Sequence, residues 1–145
     1  MNKENLKILD DFYKAIKMGE DSYAIVIEKT DDKKFKNILQ NQSNEYEKFL
    51  NAINNYYNKE DEKPADTPVT QKVMGWASIQ INTLKDNSNS HISQMLIQGA
   101  IMGYIECHKL VNSNLYVDED LKEQILDFAN LQINVIKELT PFLRN

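Results

Sequence analysis

The sequence predicts an all-α fold, an antiparallel four-helix-type bundle in which the third helix is an additional or kinked element. Three observations predict it. Apolar residues recur at alternating three- and four-residue spacing in three long stripes: Leu6, Leu9, Tyr13, Ile16, Tyr23 and Ile27; Phe35, Leu39, Tyr46, Phe49, Ile53 and Tyr56; and Leu121, Ile125, Phe128, Val135, Leu139 and Phe142. That spacing puts each set on one helical face, which must be buried against another element. Only four glycines and three prolines interrupt 145 residues, so the helices are long and the turns few. Hydrophobic residues make up 41% and charged residues 27%, enough apolar surface for a core without disulfides or a structural metal, and a single domain over residues 1–145 is expected.

Each element follows from its ends. The first helix is expected from about Lys3 to Glu28, with a local bend possible at Gly19, because glycine costs about 1 kcal/mol relative to alanine inside a helix. Thr30-Asp31-Asp32 reads as a tight connection that also caps the second helix, Asp32 to Lys59. Glu60 to Ala65 is a solvated loop. Thr67-Pro68 carries N-cap chemistry for a third helix through Val73, Trp76, Ala77, Gln80, Ile81 and Leu84 to about Lys85. Asp86 to Ser90 consists of residues that favour caps and turns, so a break is expected there, with a kinked continuous helix as the alternative. A fourth helix follows from about Ser90 to Asn112, an exit turn at Asn114, and a last helix from Asp118 to Thr140-Pro141.

Each stripe is broken by one polar residue: Glu20, Gln42 and Gln132. A buried polar group needs a partner or marks a site. Folding the first hairpin about Thr30 sets Glu20 near Gln42, and folding the last about residue 116 sets Gln132 near Gln98 and Gly99. These positions are expected to share one layer. The layer is either a hydrogen-bonded plug that fixes register or a cage for a metal or small ligand, with Glu45 as the nearest second inward carboxylate. Amides favour the plug, since glutamine is a poor metal ligand beside carboxylate and imidazole.

Other chemistry finds little footing. A carboxylate di-iron bundle needs Glu-x-x-His on two helices, and the chain has none. Glu106 and His108, two apart, point to different faces. Lone Cys107 has no nucleophile setting, and no P-loop or dinucleotide-binding glycine pattern occurs. No catalytic residue, metal or cofactor is assigned. Gly99 and Gly103 form Gly-x-x-x-Gly, read as close packing inside the bundle, with a dimer face or a space for an apolar ligand beside Met95 and Met102 as alternatives. Tyr13, Tyr23, Tyr46, Tyr56 and Tyr57 read as core rings whose hydroxyls reach the bundle edges.

The net charge of −5, with sixteen lysines and one arginine, Arg144, argues against nucleic-acid or anionic-membrane partners. No stretch approaches the roughly 18 apolar residues of a membrane span. The start MNKENLKILDDFYK is charged and amphipathic, unlike a signal peptide, and one cysteine fits a reducing compartment, so a cytoplasmic location is expected.

The stretch TLKDNSNSHISQMLIQGAIMGYIE, Thr83 to Glu106, resembles a family of small bacterial ferritin-like four-helix-bundle proteins common in clostridia. Met18-Gly19, Gln40 to Leu50 (QNQSNEYEKFL) and the closing KELTPFL look similar too. The resemblance implies a ferritin-like bundle without assigned enzymatic activity or known catalytic residues. Some broader ferritin-like relatives bind two metals; the missing Glu-x-x-His departs from their pattern. The expected role is non-enzymatic, acting through self-association or a protein partner, in stress or sporulation physiology. The alternative is a degenerate ferritin-like metal or small-ligand binder using Glu20, Glu45 and Glu106.

Overall fold

A computed structural model describes residues 2–64, 84–114 and 116–145. Among these residues the chain is all-α, with four helices: α1 (Lys3–Lys29), α2 (Lys33–Lys59), α3 (Asn89–Asn112) and α4 (Glu119–Leu139), closed by a 3-10 turn over Thr140–Phe142. The residues from Thr67 to Thr83 assigned above to a third helix lie outside the described residues. Leu84 and Lys85, expected at its end, are not helical, and the helix expected from Ser90 is α3.

Helix starts are set by side-chain caps. Asn2, Asp32, Ser88 and Asp118 each accept a hydrogen bond from a backbone N–H of the first turn that would otherwise lack a partner. The bond from Phe35 N–H is the main reason the Asp32 carboxyl is held below its ordinary value. α1 ends where Thr30, itself buried, donates its hydroxyl to the Val26 carbonyl at 2.7 Å.

The stripes form one apolar cluster drawing on all four helices, with Leu9, Phe12, Ile16, Phe35, Leu39, Ile53, Ile92, Leu121 and Ile125 without solvent exposure. A fully buried side chain of this size contributes roughly 1.5–3 kcal/mol, more than the helix propensity of any residue, so packing of the stripes holds the helices. Phe128 of α4 is the hub: Phe12, Tyr46 and Phe49 all meet its ring edge-on at 5.3–5.5 Å.

The two ends of the molecule are tied by different contacts. At one end Asn5 takes a hydrogen bond from the Asp118 N–H at 3.0 Å, and Tyr57 near the end of α2 donates its hydroxyl to Asp10 near the start of α1. At the other end Asn87 donates to the Lys29 carbonyl at 2.9 Å and Asn89 to Asp32 at 3.2 Å. Phe35 and Phe142 meet edge-on there at 4.8 Å, and Ser90 bonds the Arg144 backbone. The exit of α2 and the entry of α3 are therefore at opposite ends.

α1 runs unbroken through Gly19, where the sequence left a local bend possible. Glycine is required there for another reason: a Cβ would lie 2.7 Å from Cε1 of the buried Tyr46 ring. Gly19→Ala therefore lowers stability by about 1–3 kcal/mol through overpacking, outweighing the roughly 1 kcal/mol gain in helix propensity. Gly99→Ala, with no described atom within 4 Å of its Cβ, gains stability by up to about 1 kcal/mol. Urea unfolding of the two variants checks the opposite signs.

Candidate functional site

The most unusual feature of the interior is a polar layer at mid-height. Tyr23 of α1 donates its hydroxyl to Gln42 Oε1 of α2 at 2.8 Å. Tyr46, one turn beyond Gln42, donates to Gln132 Oε1 of α4 at 2.8 Å. The amide of Gln132 reaches back to the Phe128 carbonyl at 3.4 Å. The two phenol rings lie 5.1 Å apart, and their hydroxyls are hydrogen-bond neighbours. All four side chains are at least 95% buried. Gly19 clears space for the Tyr46 ring, whereas a Cβ at Gly103 of α3 would meet the Gln132 side chain at an ordinary contact distance of 3.6 Å.

Proton counting leaves one mismatch. Gln42 Nε2 is buried without a partner. Each phenol has a single proton, so Tyr23 cannot donate to both Gln42 and Tyr46. Turning the Gln42 amide over exchanges its O and N. Nε2 then donates to Tyr23, Tyr23 to Tyr46, Tyr46 to Gln132, and Gln132 to the Phe128 carbonyl. This one-way chain gives every phenol proton one acceptor and exchanges the orphan donor of Gln42 for an orphan carbonyl oxygen at the same position.

Gln42 and Gln132 thus meet in one layer, but through tyrosines, and the hydroxyls of Tyr23 and Tyr46 point inward where edges were expected. Tyr57, with its hydroxyl on Asp10, does reach an edge. Glu20 does not face Gln42 through a hydrogen bond: one oxygen pairs with Lys17 at 3.4 Å, and the other is buried without a partner. Gln98 is exposed, on the outer side of α3, and does not join the layer. The close packing expected of the pair does not follow: a Cβ at Gly99 meets no described atom within 4 Å, and one at Gly103 would meet Gln132 at an ordinary 3.6 Å. The sequence signal for Tyr46 was its place four residues after Gln42 on the same stripe; Tyr23 had no seam amide on its own helix.

Burial moves the titrating groups of the layer away from neutrality. Burial first, then the neighbouring Tyr46 and Glu138, pushes Tyr23 well above the ordinary phenol range, and burial pushes Tyr46 up as well. Burial also raises Cys107 to about 12, which leaves it a thiol. The carboxylates considered for a metal are spread apart: Glu20, Glu45 and Glu106 each pair with a lysine of their own helix, Lys17, Lys48 and Lys109. Among the described residues no three His, Cys, Asp or Glu side chains converge as a metal site. A recess of about 520 Å³ lies at the start of α3, lined by Asp86, His91, Gln94 and Arg144 among others. It is open, and the Arg144 guanidinium there is turned onto the Pro141 and Leu143 carbonyls.

No protein-family model, curated protein or solved structure matches the chain. The reading of its role therefore stands on its own residues.

Two tests follow from the layer. Tyr46→Phe strands a buried acceptor on Gln132 and costs about 1–3 kcal/mol in urea unfolding. Tyr46→Phe with Gln132→Leu costs less than the two single changes added together, since both polar partners are then gone. Because the folded-state pKa of Tyr23 and Tyr46 is raised, their contribution to stability is whole below the unfolded phenol value of about 10 and falls as pH climbs through the folded values. Tyrosinate absorbance should show these two ionising only together with loss of helical circular dichroism.

Proposed function

We propose that the chain is one antiparallel, ferritin-like helical-bundle domain over residues 1–145, cytoplasmic, which works by association and not by catalysis. The ferritin-like arrangement is supported by the ends of the helices. α2 leaves at the end marked by Asp10 and Asp118, and α3 enters at the end marked by Lys29 and Asp32. The chain between Glu60 and Ser88 must cover the length of α2, about 40 Å for 27 residues. One long crossover of this kind is the mark of ferritin-like bundles.

The observation that carries the functional reading is the outer face of α3. From Asn87 to Ile105 the chain has no Asp, Glu, Lys or Arg across 19 residues. On the outward line of α3, Gln94, Gln98, Ile101 and Ile105 are exposed, each isoleucine to 45%. An uncharged helix that is apolar on both sides calls for burial on both sides. No comparable line occurs on α1, whose exposed side carries Lys3, Glu4, Lys7, Asp11, Asp21 and Glu28. The metal or small-ligand alternative has no convergent donor set among the described residues to support it. A role in stress or sporulation physiology remains part of the proposal.

A photo-crosslinking residue placed at Ile101 in the native host is expected to give covalent adducts several-fold more often than one at exposed Lys36 of α2. Equal yields from the two positions would remove the association reading.

A further inference from the structure

We infer that the occupant of the α3 outer face is a second copy of this chain, packed α3 against α3 about a two-fold axis. The inference rests on the reading of that face as an association surface and names its partner. A two-fold interface is made by one patch meeting itself, so every residue near the axis must tolerate its own kind. A lysine or carboxylate there faces the same charge on the other copy. The α3 line contains neither until Glu106 and Lys109. Its exposed members are of two types, and both are self-complementary. Isoleucine packs on isoleucine, and a glutamine amide carries donors and an acceptor that match those of another glutamine.

Electrostatics points the same way. Each copy carries a net charge of −5, so two copies approach with least repulsion along their neutral line. A partner selected by charge finds nothing on that line to read. Charge matching thus favours the chain itself over an acidic or basic partner. Centred between Gln98 and Ile101, the axis sets the two copies of Gln98 about 5 Å apart along the helix direction, and the two copies of Ile101 likewise, within side-chain reach.

The line from Gln94 to Ile105 is about 17 Å long and one helix wide. That is less than the roughly 800 Å² per partner of a standard interface, so the dimer is weak and forms only at high concentration. Light scattering of the purified full chain, from about 10 µM to about 1 mM, should show the mass rising from 16.9 kDa toward twice that value. Ile101→Lys and Ile101→Glu should each stay monomeric with unchanged helical circular dichroism, while an equimolar mixture of the two regains association at least tenfold over either alone. Only a face that meets itself is rescued by that mixture.

A wild-type chain monomeric throughout overturns the inference, as does a dimer indifferent to the Ile101 changes. If Ile101 crosslinks in the host while the purified chain stays monomeric, the association reading stands and the homodimer falls. An adduct joining Ile101 to residues 65–83 of the same chain also overturns it, because the occupant is then internal.

Discussion

The structure depends on matching buried amides to buried phenols. Gln42 and Gln132 are removed from water almost completely, and an unmatched polar atom in that setting costs about 1–3 kcal/mol. Their partners sit on different helices from themselves: Tyr23 on α1 serves Gln42 on α2, and Tyr46 on α2 serves Gln132 on α4. Apolar packing tolerates a slide of one helix along another, because one leucine can replace the next. A slide by one residue turns a helix by about 100° and takes Gln42 away from Tyr23 altogether. The layer therefore converts a permissive apolar seam into one register. α3 lies beside Gln132 at Gly103, where a Cβ would make only ordinary contact.

Much of this was legible in the sequence, and the parts that were not share a cause. The stripes of α1, α2 and α4 gave their helices and inward faces directly, and the starts expected at about Asp32 and near Asp118 lie one residue before α2 and α4 begin. Gln42 and Gln132 stood out because each interrupts a strong stripe. The tyrosines did not, because a tyrosine satisfies an apolar pattern whichever way its hydroxyl turns. Glu20 occupies a seam position yet bends its carboxylate to Lys17, an adjustment that a long side chain makes and a periodicity does not record. Gln98 was misplaced for a different reason. Fold-back arithmetic set it opposite Gln132, but α3 is apolar nearly all round, so no stripe was present to say which side faces in.

That same lack of a stripe has physical content. α1 and α2 separate a core face from a charged face, so each is complete when its inner side is covered. α3 buries Ile92, Leu96, Ala100 and Cys107 and still presents Ile101 and Ile105 to solvent. Surface helices without charge lose the solvation and the like-charge repulsion that keep molecules apart. Its ambiguity in the sequence and its incompleteness in the fold are one property seen twice.

The interior chemistry points outward as well. A catalytic polar core is normally built from groups whose pKa is drawn toward the working pH. Here burial drives Tyr23 and Tyr46 further from it, raises the Cys107 thiol to about 12, and leaves two amides that do not titrate. The carboxylates lie toward the rim, each answered by a lysine on its own helix. Polar groups arranged this way hold helices in place and have no proton to exchange at ordinary pH. Among the described residues the uncharged line of α3, with Ile101 and Ile105 exposed, is a surface feature that solvent does not favour, and it is there that the proposed association is placed.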